Sequence, residues 1–147
     1  MRLVISTRVE QSLLEVKSGF TKELFLSLNP PFPPVRLLQF DGCKKGDKVA
    51  LELNFIFFKQ KWVSVITHDN TDENLFEFID EGAQLPFFLK TWIHHHKVLA
   101  TSDGESEIVD DITFTSPFLF MDYLLFPALY FQFLYRKPVY KKLFKSK

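Results

Sequence analysis

The sequence predicts an α+β fold: one antiparallel sheet of seven strands, two short helices after the first strand, and a long apolar helix closing the chain. Three observations lead there. From residue 35 onward, strand-like segments recur at intervals of roughly 8–12 residues, separated by polar turns, which is the signature of a meandering antiparallel sheet. Residues 85–117 read as one long β-hairpin. Residues 118–135 carry only Asp122 and Gln132 as clearly polar side chains, so that helix needs something apolar to lie against.

Taken in order, residues 2–9 alternate well enough for a first strand. Residues 12–19 and 21–28 suit two short helices, with Gly19 able to end the first and Thr21 a candidate cap for the second. Residues 29–34 hold four prolines, which fix φ and remove four donors, so the segment is a stiff connector. A short strand at 35–40 and a turn at 41–46 follow. Residues 47–58 read as a long strand with Val49, Leu51, Leu53, Phe55 and Phe57 on one face, then a turn at 59–61. Strands at 62–68 and 74–80 flank a turn at 70–73. Ser116 is expected to cap the terminal helix with Pro117 in its first turn, and Pro127 to kink it. Residues 136–147 bring six positive charges, which suit a solvated end complementing the helix dipole or a weak contact with an anionic membrane surface.

The hairpin orders the candidate chemistry. Alternation puts Trp92, His94, His96 and Val98 on one face and His95 on the other, so the three-histidine run is a pair and a single. A three-residue loop, 102–104, with Gly104 free to take positive φ, pairs Thr101 with Glu105. His96 then lies opposite Asp110, His94 opposite Ile112, and Trp92 opposite Phe114. A two-residue loop would bring Asp111 in instead. The first register is preferred because it gathers Ile112 and Phe114 onto the face of Trp92.

Composition sets bounds. At 147 residues the chain is expected to form one domain, 1–147, with a substantial core. Lys+Arg and Asp+Glu are both 18, so no charge bias points to nucleic acid. The single cysteine, Cys43, excludes an internal disulfide and fits a reducing compartment; an incidental loop thiol is expected, with a pKa lowered by Lys44 and Lys45 as the alternative. The N-terminus has no apolar stretch of signal-peptide length, so a cytoplasmic protein is expected. Eighteen phenylalanines in so small a chain imply a dense aromatic core or a pocket lined by aromatic rings. No glycine-rich phosphate loop and no Gly-x-Ser-x-Gly nucleophile motif occurs.

Several features in series resemble the START-like, helix-grip (SRPBCC) superfamily, and most of all its small bacterial polyketide cyclase/dehydrase-like or cell-division-inhibitor-like members. They are Gly46-Asp47 opening a long strand, Trp62 with Ser64 and Ile66, Phe78 with Asp80, and Pro86-Phe87. Trp92-x-His94-x-His96 and Asp110-x-Ile112-x-Phe114-x-x-Pro117 complete the series. The Gly-Pro-Phe common in that subgroup stands here as Leu85-Pro86-Phe87, without the glycine. The resemblance implies a seven-stranded sheet curved around the C-terminal helix, with a ligand cavity between them. Members bind lipids, sterols, hormones or polyketide intermediates, and a few catalyse cyclisation or dehydration; no common catalytic set carries over.

Two readings of the cavity follow. In the first, the protein binds an apolar or amphipathic small molecule without catalysis, in a lining of Phe55, Phe57, Trp92, His94, His96, Phe114, Phe120, Tyr123 and Tyr130. In the alternative, it is a cofactor-independent cyclase or dehydratase in which His94 or His96 works with Asp110 as an acid–base pair, the carboxylate raising the imidazole pKa. Two histidines at i and i+2 can chelate, with Asp110 as a third ligand, but Cys43 and His68 have no spacing that adds to them, and no metal is expected. Asp122 is a further candidate buried acid.

Overall fold

The computed structural model describes residues 1–147. Seven strands form one antiparallel sheet: β1 (Arg2–Val9), β2 (Val35–Phe40), β3 (Lys48–Asn54), β4 (Lys59–Thr71), β5 (Leu75–Gln84), β6 (Thr91–Ala100) and β7 (Ser106–Thr115). Their order is β1-β7-β6-β5-β4-β3-β2, a meander from β2 to β7 with β1 added beside the last strand. The helices are α1 (Leu13–Ser18), α2 (Lys22–Ser27), α3 (Leu119–Leu134) and α4 (Arg136–Leu143). The expected sequence of elements is present. No helix is long and apolar enough to cross a membrane.

Local chemistry explains the short helices. Ser12 and Glu15 form a reciprocal capping box at the start of α1. Thr21 Oγ1 accepts from Leu24 N–H at the start of α2. Gly19 is required by close approach: a Cβ there would lie 2.4 Å from the Phe144 ring.

One face of the sheet is covered in two parts. Val16, Leu24 and Leu28 of α1 and α2 pack with Tyr140 and Phe144 on Phe76, Phe78, Val98 and Ile108. Leu129 and Phe133 of α3 pack on Leu3, Ile5, Trp92, Ile112 and Phe114. At about 1.5–3 kcal/mol per large apolar side chain removed from water, these two clusters drive the sheet to bend round its helices. Between them the sheet is left incompletely covered.

Three segments differ from expectation. The β3–β4 connection is made by residues 55–58, not 59–61. Asn54 Oδ1 accepts from Ile56 N–H and Phe55 N–H donates to the Phe58 carbonyl, so the chain reverses one aromatic residue after the strand ends. Ile56 adopts φ 72° in that turn. Secondly, α3 begins at Leu119 with Phe118 at the cap position and no side-chain cap. Ser116 lies outside the helix, its N–H donating to Asp122 Oδ1 at 2.6 Å and its hydroxyl 2.5 Å from the same oxygen. The buried acid therefore serves the helix entry; its pKa is lowered by these Ser116 hydrogen bonds, against the effect of burial. The helix runs through Pro127. Thirdly, the basic segment is no loose tail: residues 136–143 form α4, anchored by fully buried Tyr140, and Phe144 behind it is buried too.

Candidate functional site

The uncovered part of the sheet is a cavity of about 340 Å³. Its floor is β3 and β4, through Val49, Leu51, Leu53, Trp62 and Ser64, and its inner wall is Asp80, Trp92 and His94. Leu125, Ala128, Leu129, Gln132 and Phe133 of α3 roof it, and the proline-rich connector closes one side with Pro30, Phe32 and Pro33. Period-two alternation puts the three β3 residues inward, as their spacing implied.

Register supplies the polar wall. His96 is paired with Asp110, His94 with Ile112 and Trp92 with Phe114, the arrangement expected of a three-residue loop. Thr101 N–H donates to the Glu105 carbonyl, and Gly104 takes φ 81°. On the other side of β6, Asp80 stands opposite His94. Four titratable side chains from three strands therefore share one small volume.

Their contacts are ordered. His94 Nε2 lies 2.9 Å from Asp110 Oδ1 in a fully buried pair. The Trp92 indole donates to Asp80 Oδ1 at 3.1 Å. Asp80 Oδ2 sits 3.4 Å from His96 Nε2 and 3.8 Å from His94 Nδ1. The His94 and His96 rings lie 3.5 Å apart, and His96 stacks on Phe78 at 4.2 Å. From the start of α4, Arg136 places Nη1 3.4 Å from Asp110 Oδ1, its guanidinium lying 4.1 Å from the Phe133 ring centroid.

Electrostatics follow from burial. Desolvation, then the neighbouring His96, pull His94 down to about 4, although Asp110 and Asp80 act the other way. Burial favours the neutral form of Asp110, but the His94 hydrogen bond and the charges of Arg136 and the two imidazoles outweigh it and hold the group at about 2. For Asp80 burial is likewise opposed, by the His96 hydrogen bond, both imidazoles and the Trp92 indole, and the net shift is downward. At neutral pH the site thus holds a neutral His94 and two carboxylates, one of them matched by Arg136. The expectation that Asp110 raises the imidazole pKa is corrected: burial wins at His94. A base whose conjugate acid titrates near 4 is a weak partner for proton abstraction at neutral pH.

Of the expected lining residues, the cavity has Phe55, Trp92 and His94. His96 borders a smaller neighbouring pocket under α2. Phe114 is wholly buried in the core beneath α3. Phe57 is 93% exposed, because the strand reverses before reaching it. Phe120, Tyr123 and Tyr130 point outward from α3 and do not line the cavity. Sequence reasoning missed Asp80, Arg136, Trp62 and the connector. The spacing of Phe76, Phe78 and Asp80 places that acid on the inward face and was its available signal; Arg136 had none. At Cys43, burial, then the charges of Asp47 and Asp80, push the thiol up to about 12, overriding Lys44 and Lys45.

No protein-family model and no curated protein sequence matches this chain. Solved structures do resemble it. Ms6760 from Mycobacterium smegmatis superposes with a TM-score of 0.69 at 17% identity, over 99% of this chain and 91% of that one. A START superfamily protein from the same organism gives 0.65 at 11%, over 97% and 98%. The ZhuI aromatase/cyclase from Streptomyces sp. R1128 gives 0.60 at 13%, over 80% and 69%. The chain therefore has the START-like, helix-grip fold of the SRPBCC type.

Proposed function

We propose that the protein binds an apolar or amphipathic small molecule in the cavity between the sheet and α3. The observation that carries this reading is the unfilled space itself: about 340 Å³, with 14 of its 22 lining residues hydrophobic, in a chain rich enough in phenylalanine to have plugged it. The polar groups are few, and the charged ones among them, Asp80 and Arg136, come with His94, which suits a ligand with an oily body and a polar group. Neighbours of this fold include a START superfamily protein and an aromatase/cyclase, which accords with the reading at the level of architecture. A cyclase or dehydratase using His94 or His96 with Asp110 is the alternative, made weaker for His94 by its low basicity.

The test is titration with 11-(dansylamino)undecanoic acid, following energy transfer from Trp62 and Trp92, whose rings meet edge-to-face at 4.8 Å on the cavity wall. One probe per chain is expected to bind, and a Leu51→Phe/Ala128→Phe variant, filled from floor and roof, to lose at least tenfold in affinity. Unaltered affinity in that variant, or no saturable binding, would overturn the proposal.

A second reading concerns how such a ligand arrives. Residues 118–120, 123, 124 and 131 of the α3 region are each more than 60% exposed and all are Phe, Leu or Tyr. An apolar stripe of that size on a helix roofing the cavity favours contact with a lipid bilayer surface.

A further inference from the structure

We infer that Asp80, His94 and His96 form a binding site for one divalent transition-metal ion, Zn²⁺ or a close relative, with an open coordination position facing the cavity. The donor atoms of these three side chains lie within 4.8 Å of one another. Two imidazoles and one carboxylate with a vacant fourth position make up a set that such ions accept.

The distances fit an ion at least as well as they fit a hydrogen-bonded cluster. Charge-assisted hydrogen bonds to carboxylates run about 2.7–2.9 Å. Asp80 Oδ2 stands instead at 3.4 Å from His96 Nε2 and 3.8 Å from His94 Nδ1. Bonds of about 2.0–2.1 Å to a tetrahedral ion put neighbouring donors about 3.3 Å apart. Both Asp80 gaps are long for a charge-assisted hydrogen bond and lie within about half an ångström of the separation an ion would set.

Asp80 and His94 are each hydrogen-bonded on the side facing away from the ion. The second oxygen of Asp80 accepts from the Trp92 indole at 3.1 Å. Asp110 sits 2.9 Å from Nε2 of His94, which places the proton on that nitrogen and leaves the Nδ1 lone pair turned toward Asp80. The same Asp110 oxygen lies 3.7 Å from His96 Nδ1, a buried atom with no hydrogen-bond partner. A carboxylate set behind metal-binding imidazoles fixes their tautomer and strengthens them as ligands. Charge agrees: Arg136 offsets Asp110, and Asp80 is left to neutralise a cation. The readout below is ion binding, so failure of this inference leaves the apolar-ligand proposal standing, and the reverse also holds.

The experiment is titration of EDTA-treated, dialysed full-length protein with Zn²⁺ by calorimetry, and with Co²⁺ by absorption and tryptophan fluorescence. One ion per chain is expected, with Co²⁺ bands of a low-coordinate site. Co²⁺ should also quench the emission strongly, because the only two tryptophans stand at the site. Asp80→Asn and Asp110→Asn should each lower affinity 10–100-fold, the second without removing a ligand. His68→Ala/His95→Ala is the control, since those histidines meet Glu77 on the opposite face. Binding abolished by the control and untouched by Asp80→Asn would mark an adventitious surface site and sink the inference. So would wild-type protein that binds no Co²⁺, or binds it without quenching. Should the buried variants fail to fold, the wild-type quenching decides.

Discussion

Asp110 and Tyr140 sit side by side in the fold and respond differently to loss. Asp110 is matched by His94 and Arg136 in a buried setting, so Asp110→Ala leaves a guanidinium and a ring N–H without their acceptor. Denaturant unfolding should show a loss of about 3–5 kcal/mol, the cost of breaking a buried charge pair from one side. The Tyr140 hydroxyl is buried beside Asp110 and Arg136 without a hydrogen bond of good geometry, and burial with the nearby Asp110 charge raises its pKa. Tyr140→Phe removes a buried polar atom that lacks a well-formed hydrogen bond, and its unfolding free energy should match wild type or exceed it by up to about 1 kcal/mol. A loss of 2 kcal/mol or more in Tyr140→Phe would show that the hydroxyl has a partner.

The strands are also locked together on their outer face. Asp111 of β7 binds Arg2 of β1 through both oxygens at 2.9 Å and Lys97 of β6 at 3.2 Å, tying three strands. The Arg2 hydrogen bonds lead in lowering its pKa from 3.8 to about 2, with burial opposing and Lys97 assisting. The folded value lies below the unfolded one, so the stabilisation is present above about pH 4 and is lost as pH falls toward 2. Because Arg2 is 65% exposed, solvent screening trims the contribution to about 1–2 kcal/mol. Thermal melts between pH 5 and 2 should show Asp111→Asn losing less stability than wild type by that amount; parallel curves would refute it. The hairpin of β6 and β7 was legible from sequence because alternation and a Gly104 turn determine its register locally. The β3–β4 turn was not, since four apolar residues at an exposed tip look like a continuing strand, and only Asn54 marks the reversal.

At the scale of the molecule, α3 is apolar on both sides, while the fold covers one. Leu129 and Phe133 are buried against the sheet, whereas Phe120, Tyr123, Leu124 and Phe131 face outward. The helix finds the apolar surface it needs on one side only, because the sheet offers a single face and α4 turns away to pack by Tyr140. Vesicles of 3:1 phosphatidylcholine and phosphatidylglycerol should cosediment with the wild type, and Phe120→Ser/Leu124→Ser should reduce the bound fraction at least fivefold. A wild type that stays in the supernatant and runs as a dimer, becoming monomeric in that variant, would show that the stripe binds a second copy.

What the sequence determined by itself was local or periodic: the order of the strands and first helices, the inward sides of β3 and β6, and the pairing of His96 with Asp110. These follow from alternation, turn chemistry and composition, each readable within a few residues. Only tertiary structure decided which aromatic rings reach the cavity, that Asp80 and Arg136 join the histidines, and that burial outweighs Asp110 in setting the state of His94. The physical reason is the same in each case. Desolvation and cavity lining depend on what the rest of the chain places overhead, and Asp80, Asp110 and Arg136 meet the imidazoles only once the sheet has bent and α4 has docked.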